Sequence, residues 1–134
     1  MRVLLLGVDS FATRALEWML RQVAGEHGIG CVTRPDAVRA ALQRDIQEIV
    51  VVSPVMVPHA VPVLEQHLGL HLSPPVLVVA PASTPPATLL TYVRPGRGFI
   101  LDSSRPELLP CALEAVAAGY PFIEPTLFCR LLAV

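Results

Sequence analysis

The sequence predicts a single α/β domain: a doubly wound, five-stranded parallel sheet with helices on both faces. Three observations carry this. Five short apolar runs recur, Arg2–Leu6, Ile29–Val32, Glu48–Val52, Pro75–Ala80 and Gly98–Leu101. The first, third and fourth are unbroken runs of leucine and β-branched residues, the pattern of strands covered on both faces. Amphipathic stretches of helical length separate them, and this alternation is the layout of a parallel sheet. At 134 residues, 53% of them hydrophobic and only 16% charged, the chain is long enough for one substantial core.

The first helix is expected to start near Asp9 or Ser10, either of which can accept hydrogen bonds from the free amides of a first turn. Ala12, Leu16, Met19 and Val23 fall on one narrow stripe and are expected to face the core, with Phe11 and Trp18 well off it. The second helix fits Pro35–Gln43, with Thr33 as cap and Val38, Ala41 and Leu42 inward. A third covers Pro58–His67, with Pro62 tolerated only in its first turn and Gly69 as a stop. A fourth lies between Ser83-Thr84-Pro85-Pro86 and Arg94-Pro95-Gly96.

The fifth helix fits Arg105–Ala118, closed by Gly119 in left-handed backbone. Its core stripe is Leu109, Ala112, Leu113 and Val116. After Gly119-Tyr120-Pro121, Pro125–Leu132 reads as a short helix leading outward. The expected organisation is thus a domain over residues 1–120 and a linker helix over 121–134, toward an output domain not contained in this chain.

Composition excludes several functions. All ten basic residues are arginine, and the chain contains no lysine and no asparagine. A net charge of −1 without a basic stripe argues against nucleic-acid binding by these residues. No apolar run approaches membrane length, and the stretch Met1–Gly7 is too short for a secretion signal, so a cytoplasmic location is expected. Cys31, Cys111 and Cys129 are widely spaced and are expected to be reduced, and buried or at an interface. The four-residue spacings His27 to Cys31 and His67 to His71 could pair metal ligands on a helix, but Gly28, Gly30 and Gly69 interrupt them. No metal and no cofactor are expected.

The local wording is more specific. Arg97-Gly98-Phe99-Ile100-Leu101-Asp102, the alanine-rich helix ending Ala115-Val116-Ala117-Ala118-Gly119, then Pro121 and Glu124-Pro125-Thr126-Leu127 resemble the last third of a response-regulator receiver. The resemblance is to the branch that precedes a LuxR-type helix-turn-helix, and it extends from Arg2 to Leu132. It implies a phosphorylation site in which two acids after the first strand hold a divalent cation; Gly7 and Val8 occupy those places. The phospho-accepting aspartate is matched by Ser53, the hydroxyl residue ending the fourth strand by Ala80, and the lysine ending the fifth by Asp102. Phe99 matches the aromatic residue that changes rotamer in switching receivers and is expected here to be fixed by packing.

Every position of that set departs from the pattern. Mg²⁺ requires several oxygen ligands, and Gly7 and Val8 offer no side-chain oxygen. Without a cation or a lysine, nothing offsets the charge of a phosphoryl group in transit. Ser53 carries a hydroxyl, but a serine needs a positioned base to become a nucleophile.

A second resemblance, of Gly7-Val8-Asp9-Ser10-Phe11-Ala12 with Val32-Thr33-Arg34-Pro35-Asp36, is to the start of folate-dependent formyltransferases. It implies an Asn–His–Asp site, which a chain without asparagine cannot build. A dinucleotide-binding turn is weaker still, since Gly7 opens no G-x-G-x-x-G pattern.

Two surfaces remain as candidates. The first is the emptied pocket of Gly7, Val8, Ser53, Ala80 and Asp102 at the carboxyl ends of the strands, either open to an apolar small molecule or collapsed. The second is a homodimer face made by Phe11 and Trp18 with Leu108, Cys111, Ala115 and Ala118, the apolar flank of the fifth helix; alternatively, Trp18 covers the second or fifth helix within its own subunit. The expected function is a phosphorylation-independent, receiver-like regulatory and dimerising module of a transcriptional regulator. A small-molecule sensor is the alternative, and an enzyme is not expected.

Overall fold

The computed structural model describes residues 2–25, 28–44, 48–53, 56, 74–85, 87 and 95–132. The strands are β1 (Val3–Leu6), β2 (Ile29–Val32), β3 (Ile49–Val52), β4 (Val76–Ala80), β5 (Arg97–Leu101) and β6 (Phe122–Ile123). The helices are α1 (Phe11–Ala24), α2 (Val38–Arg44), α3 (Leu108–Ala117) and α4 (Pro125–Leu132). All strands pair in parallel, in the order β2-β1-β3-β4-β5-β6. The expected third helix lies outside the described residues, as does most of the fourth.

Period-two alternation sorts each strand between two cores. Leu4, Leu6, Val50, Val52, Val78 and Phe99 pack with Val38 and Ala41 of α2 on one face. Val3, Leu5, Val51, Val79 and Ile100 pack with α1 and α3 on the other. Strands buried on both sides carry no alternation in sequence, which is why the continuous apolar runs marked them.

Four expectations are corrected. The sheet has six strands, because Phe122–Ile123 pairs with Gly98 and Phe99 of β5. The segment after residue 120 thus contributes a strand before its terminal helix. Two residues are too few to show periodicity, but they cover a strand edge that would otherwise present unpaired backbone.

The inward face of α1 is also rotated. Thr13 and Leu20 are buried, Leu16 and Met19 pack partly against the core, and Ala12 and Val23 are exposed. A hydropathy stripe ranks alanine above threonine for burial. Here the Thr13 hydroxyl is satisfied by Ser10, so its burial leaves no polar group unpaired.

Thr33 does not cap the second helix. A 3-10 turn at Pro35–Ala37 precedes α2, its capping position is Arg34, and no side chain caps it. Lastly, all three cysteines are free and exposed rather than buried in their own chain.

Other expectations hold. Ser10 caps α1, accepting from Thr13 N at 3.2 Å. The four core residues expected on the fifth helix, α3 here, are buried. Gly119 ends that helix at φ 93°. The helix begins at Leu108, three residues later than expected, after a turn at Pro106 and Glu107, with Pro110 early enough that its missing N–H breaks no helical bond.

Candidate functional site

The carboxyl ends of β1, β3, β4 and β5 converge on one edge. Ser53 N donates to Leu6 O at 2.8 Å, and Gly7 N to Val32 O at 3.0 Å, which fixes the first residue beyond each strand. Asp102 N donates to Ala80 O at 2.8 Å.

The sheet divides the five positions singled out in the sequence. Ala80 is buried in the α2-side core, and Val8 packs against the same cluster. Ser53 and Asp102 line a cleft on the α1/α3 side, of about 410 Å³. Gly7 lies beside Ser53: a β-carbon on Gly7 would stand 3.0 Å from Ser53 Oγ. Beside Ser53 and Asp102 the cleft is lined by Thr13, Leu16 and Met19 of α1 and Leu109 of α3, and Gly7, Val8 and Ala80 are not among its lining residues.

Thr13 was not singled out in the sequence, and it occupies the space that an acid at position 7 would need. A β-carbon on Gly7 would meet Thr13 Cγ2 at 2.7 Å and Oγ1 at 2.9 Å. Thr13 Oγ1 accepts from Ser10 Oγ at 3.1 Å, so the helix cap also orients the filling side chain. A threonine three residues beyond a capping serine was the only signal available in sequence.

Each remaining polar group has a local task or none. Asp9 pairs with Arg14 at 3.1 Å across an exposed surface. Asp102 Oδ1 accepts from Ala82 N at 3.1 Å, so the carboxylate at the place of the lysine fastens the loop after β4. Ser104 Oγ accepts from Leu101 N at 3.0 Å and shapes the turn toward α3. Ser53 Oγ is buried and has no hydrogen-bond partner among the described residues. The side-chain oxygens beside Gly7 are the hydroxyls of Thr13 and Ser53, and neutral hydroxyls alone do not offset a divalent charge. Among the described residues, no three His, Cys, Asp or Glu side chains converge as a metal site.

Phe99 is fully buried in the α2-side core. Phe11 and Trp18 stand out from α1, 91% and 64% exposed. Trp18 borders a second, more open groove beside β2, together with Glu17, Arg21 and Cys31. Partial burial of the Cys31 thiol raises its pKa, and the Glu17 carboxylate adds to the rise while Arg21 opposes it. On α3, Leu108 and Ala115 are half-buried and Cys111 and Ala118 exposed. No helix among the described residues is long and apolar enough to cross a membrane.

The strand order, the helix layers and the converging strand ends define a flavodoxin-like, doubly wound α/β fold, the one that receivers also have. Solved structures of receivers and response regulators share that fold. The chain resembles a LuxR family DNA-binding response regulator from Silicibacter pomeroyi at a TM-score of 0.68 and 18% identity, over 94% of this chain and 99% of that one. It resembles the response regulator RcsB of Salmonella typhimurium at 0.66 and 16%, over 99% of this chain and 67% of that one. The signal receiver domain of a Mycobacterium tuberculosis protein described as the response regulator NarL matches at 0.65 and 16%, over 88% and 96%. No protein-family model matches the sequence, and no curated protein matches it. At these identities the likeness establishes the fold, and function has to be argued from the site.

Proposed function

We propose that this chain is a receiver-like regulatory module that works without phosphorylation, pairs as a homodimer and serves a transcriptional regulator. The observation that carries the reading is the side-chain-free Gly7 with Thr13 packed against it. The place where a receiver would hold a cation carboxylate is filled by a threonine methyl and hydroxyl. Ser53 stands where the acceptor would be, and no carboxylate or imidazole is hydrogen-bonded to it among the described residues. An unassisted serine is a poor nucleophile, so the reading includes no enzymatic activity.

The three relatives by structure are each named as a response regulator or as the receiver domain of one, and one of them as DNA-binding. With a net charge of −1, this chain is suited to controlling a DNA-binding partner domain rather than to gripping DNA itself. The exposed aromatic pair on α1 and the apolar flank of α3 supply the association surface. A soluble cytoplasmic setting fits this role.

The test is incubation with acetyl phosphate and Mg²⁺ followed by intact-mass spectrometry. The expected result is an unchanged mass. A stable phosphoryl adduct, at Ser53 or elsewhere, would overturn the reading.

A further inference from the structure

We infer that the cleft between α1 and α3 is the socket of the homodimer, filled by the Phe11 ring of a second copy of this chain, each protomer giving a ring and receiving one. The inference rests on the proposed homodimer and names the contact that locks it.

The cleft has a volume of about 410 Å³, and Leu16, Met19, Val79, Ile100 and Leu109 give it an apolar wall. Ala12 and Ala15 also line it, and both are exposed. Their short side chains make a lip over which another surface can come close.

Phe11 identifies the occupant. Its chain neighbours Ser10 and Ala12 line the cleft, while its own ring is turned outward and is 91% exposed. An isolated apolar side chain on a surface is ordinary, but here a projecting ring stands at the mouth of an apolar cleft. Knob and socket thus lie side by side on one surface. A two-fold axis between them carries each knob to the socket of the other copy, so the patch is complementary to itself. A different partner would have to supply its own knob and its own socket for Phe11.

The knob is also preset. Ser10 Oγ accepts from Thr13 N at 3.2 Å, which fixes the first turn of α1 and with it the backbone of Phe11. An anchor held on a capped helix loses little freedom on binding. Charge is compatible with self-pairing as well. Asp102 and Arg105, the ionisable residues of the lining, are exposed and opposite in sign, so each copy offers an acid to the other's base.

The test is a complementation between two variants of the full chain, followed by sedimentation velocity. Phe11→Ala removes the knob and leaves the socket. Ala15→Trp fills the socket and leaves the knob. Both changes are at exposed residues, so each protomer should keep the melting temperature of wild type. Ala12→Trp, at the other exposed alanine of the lip, replaces Ala15→Trp if that protein melts low. Each variant alone should pair at least about thirtyfold more weakly than wild type, the factor carried by a central aromatic anchor. Mixed together, the two should pair at least about tenfold more tightly than either pairs with itself. In that heterodimer the Phe11 ring of the socket-filled chain enters the intact socket of the Phe11→Ala chain.

A Phe11→Ala or socket-filled protein that pairs as tightly as wild type would overturn the inference. So would a mixture that associates no better than its components. Either result with a dimeric wild type removes this inference alone. A monomeric wild type removes it together with the proposed homodimer.

Discussion

Gly7 and Thr13 are in a contact that admits no side chain at position 7: a β-carbon there would lie 2.7 Å from Thr13 Cγ2. Thr13 of helix α1 packs against the end of β1 at a residue that carries no side chain.

Restoring an acid at this place should not restore a metal site. Gly7→Asp is expected to destabilise the protein by about 1–3 kcal/mol, the usual cost of overpacking a filled site. Adding Thr13→Ala removes both of the nearest clashing atoms, so the double variant should recover part of that loss. Urea denaturation of the four proteins of the cycle measures the coupling. Strictly additive effects would show that Thr13 does not fill the position.

The capping serine has a larger role than the neighbouring aspartate. Ser10 Oγ accepts from Thr13 N and donates to Thr13 Oγ1. Ser10→Ala should cost about 1–2 kcal/mol, the range of lost helix caps. Asp9→Ala, which removes only an exposed ion pair with Arg14, should cost under about 1 kcal/mol. Thermal melts of the two single variants rank them directly, and a larger loss for Asp9→Ala would refute the assignment.

Association is expected without any activating modification. Phe11 and Trp18 are two helical turns apart on one face of α1, and both are exposed. Because Trp18 is not part of the core, Trp18→Glu should leave the fold and melting temperature of the protomer nearly unchanged. It should weaken dimerisation by more than about 2 kcal/mol, as loss of a central aromatic anchor does. Sedimentation velocity over micromolar concentrations separates the cases. A monomeric wild type, or a variant that pairs equally well, would place association elsewhere or exclude it.

Cys31 carries the pH dependence that the structure supports. Partial burial disfavours its thiolate, and Glu17 adds to that, so its folded-state pKa stands above the ordinary thiol value of 9.0. The sign follows from linkage. Below the unfolded-state pKa both states keep the proton and this group leaves stability unchanged. As pH rises further the unfolded chain ionises first, and stability falls until the folded thiol ionises too. Cys31→Ser should flatten that alkaline decline. Alkylation of Cys31 by iodoacetamide should also show its inflection above that of a free cysteine, and an inflection at or below that value would contradict the burial.

The sequence by itself determined the α/β class, five strands to within a residue or two, the inward face of α3, and the absence of any lysine and of a carboxylate at positions 7, 8 and 53. Those features are written locally: runs of β-branched residues define doubly covered strands, and a missing carboxylate or lysine is missing in any conformation. Tertiary structure decided the rest. The two-residue β6 has no pattern of its own and exists because β5 offers it a backbone edge. Thr13 turns inward because Gly7 leaves room for it and Ser10 satisfies its hydroxyl, facts about space that no hydropathy stripe records. The five candidate pocket residues are drawn together by their shared place at the strand ends, yet the sheet sends Val8 and Ala80 to one side and Ser53 and Asp102 to the other. Proximity along strand ends can be read from a sequence, but which face a side chain takes beyond the last paired residue depends on how each chain leaves the sheet.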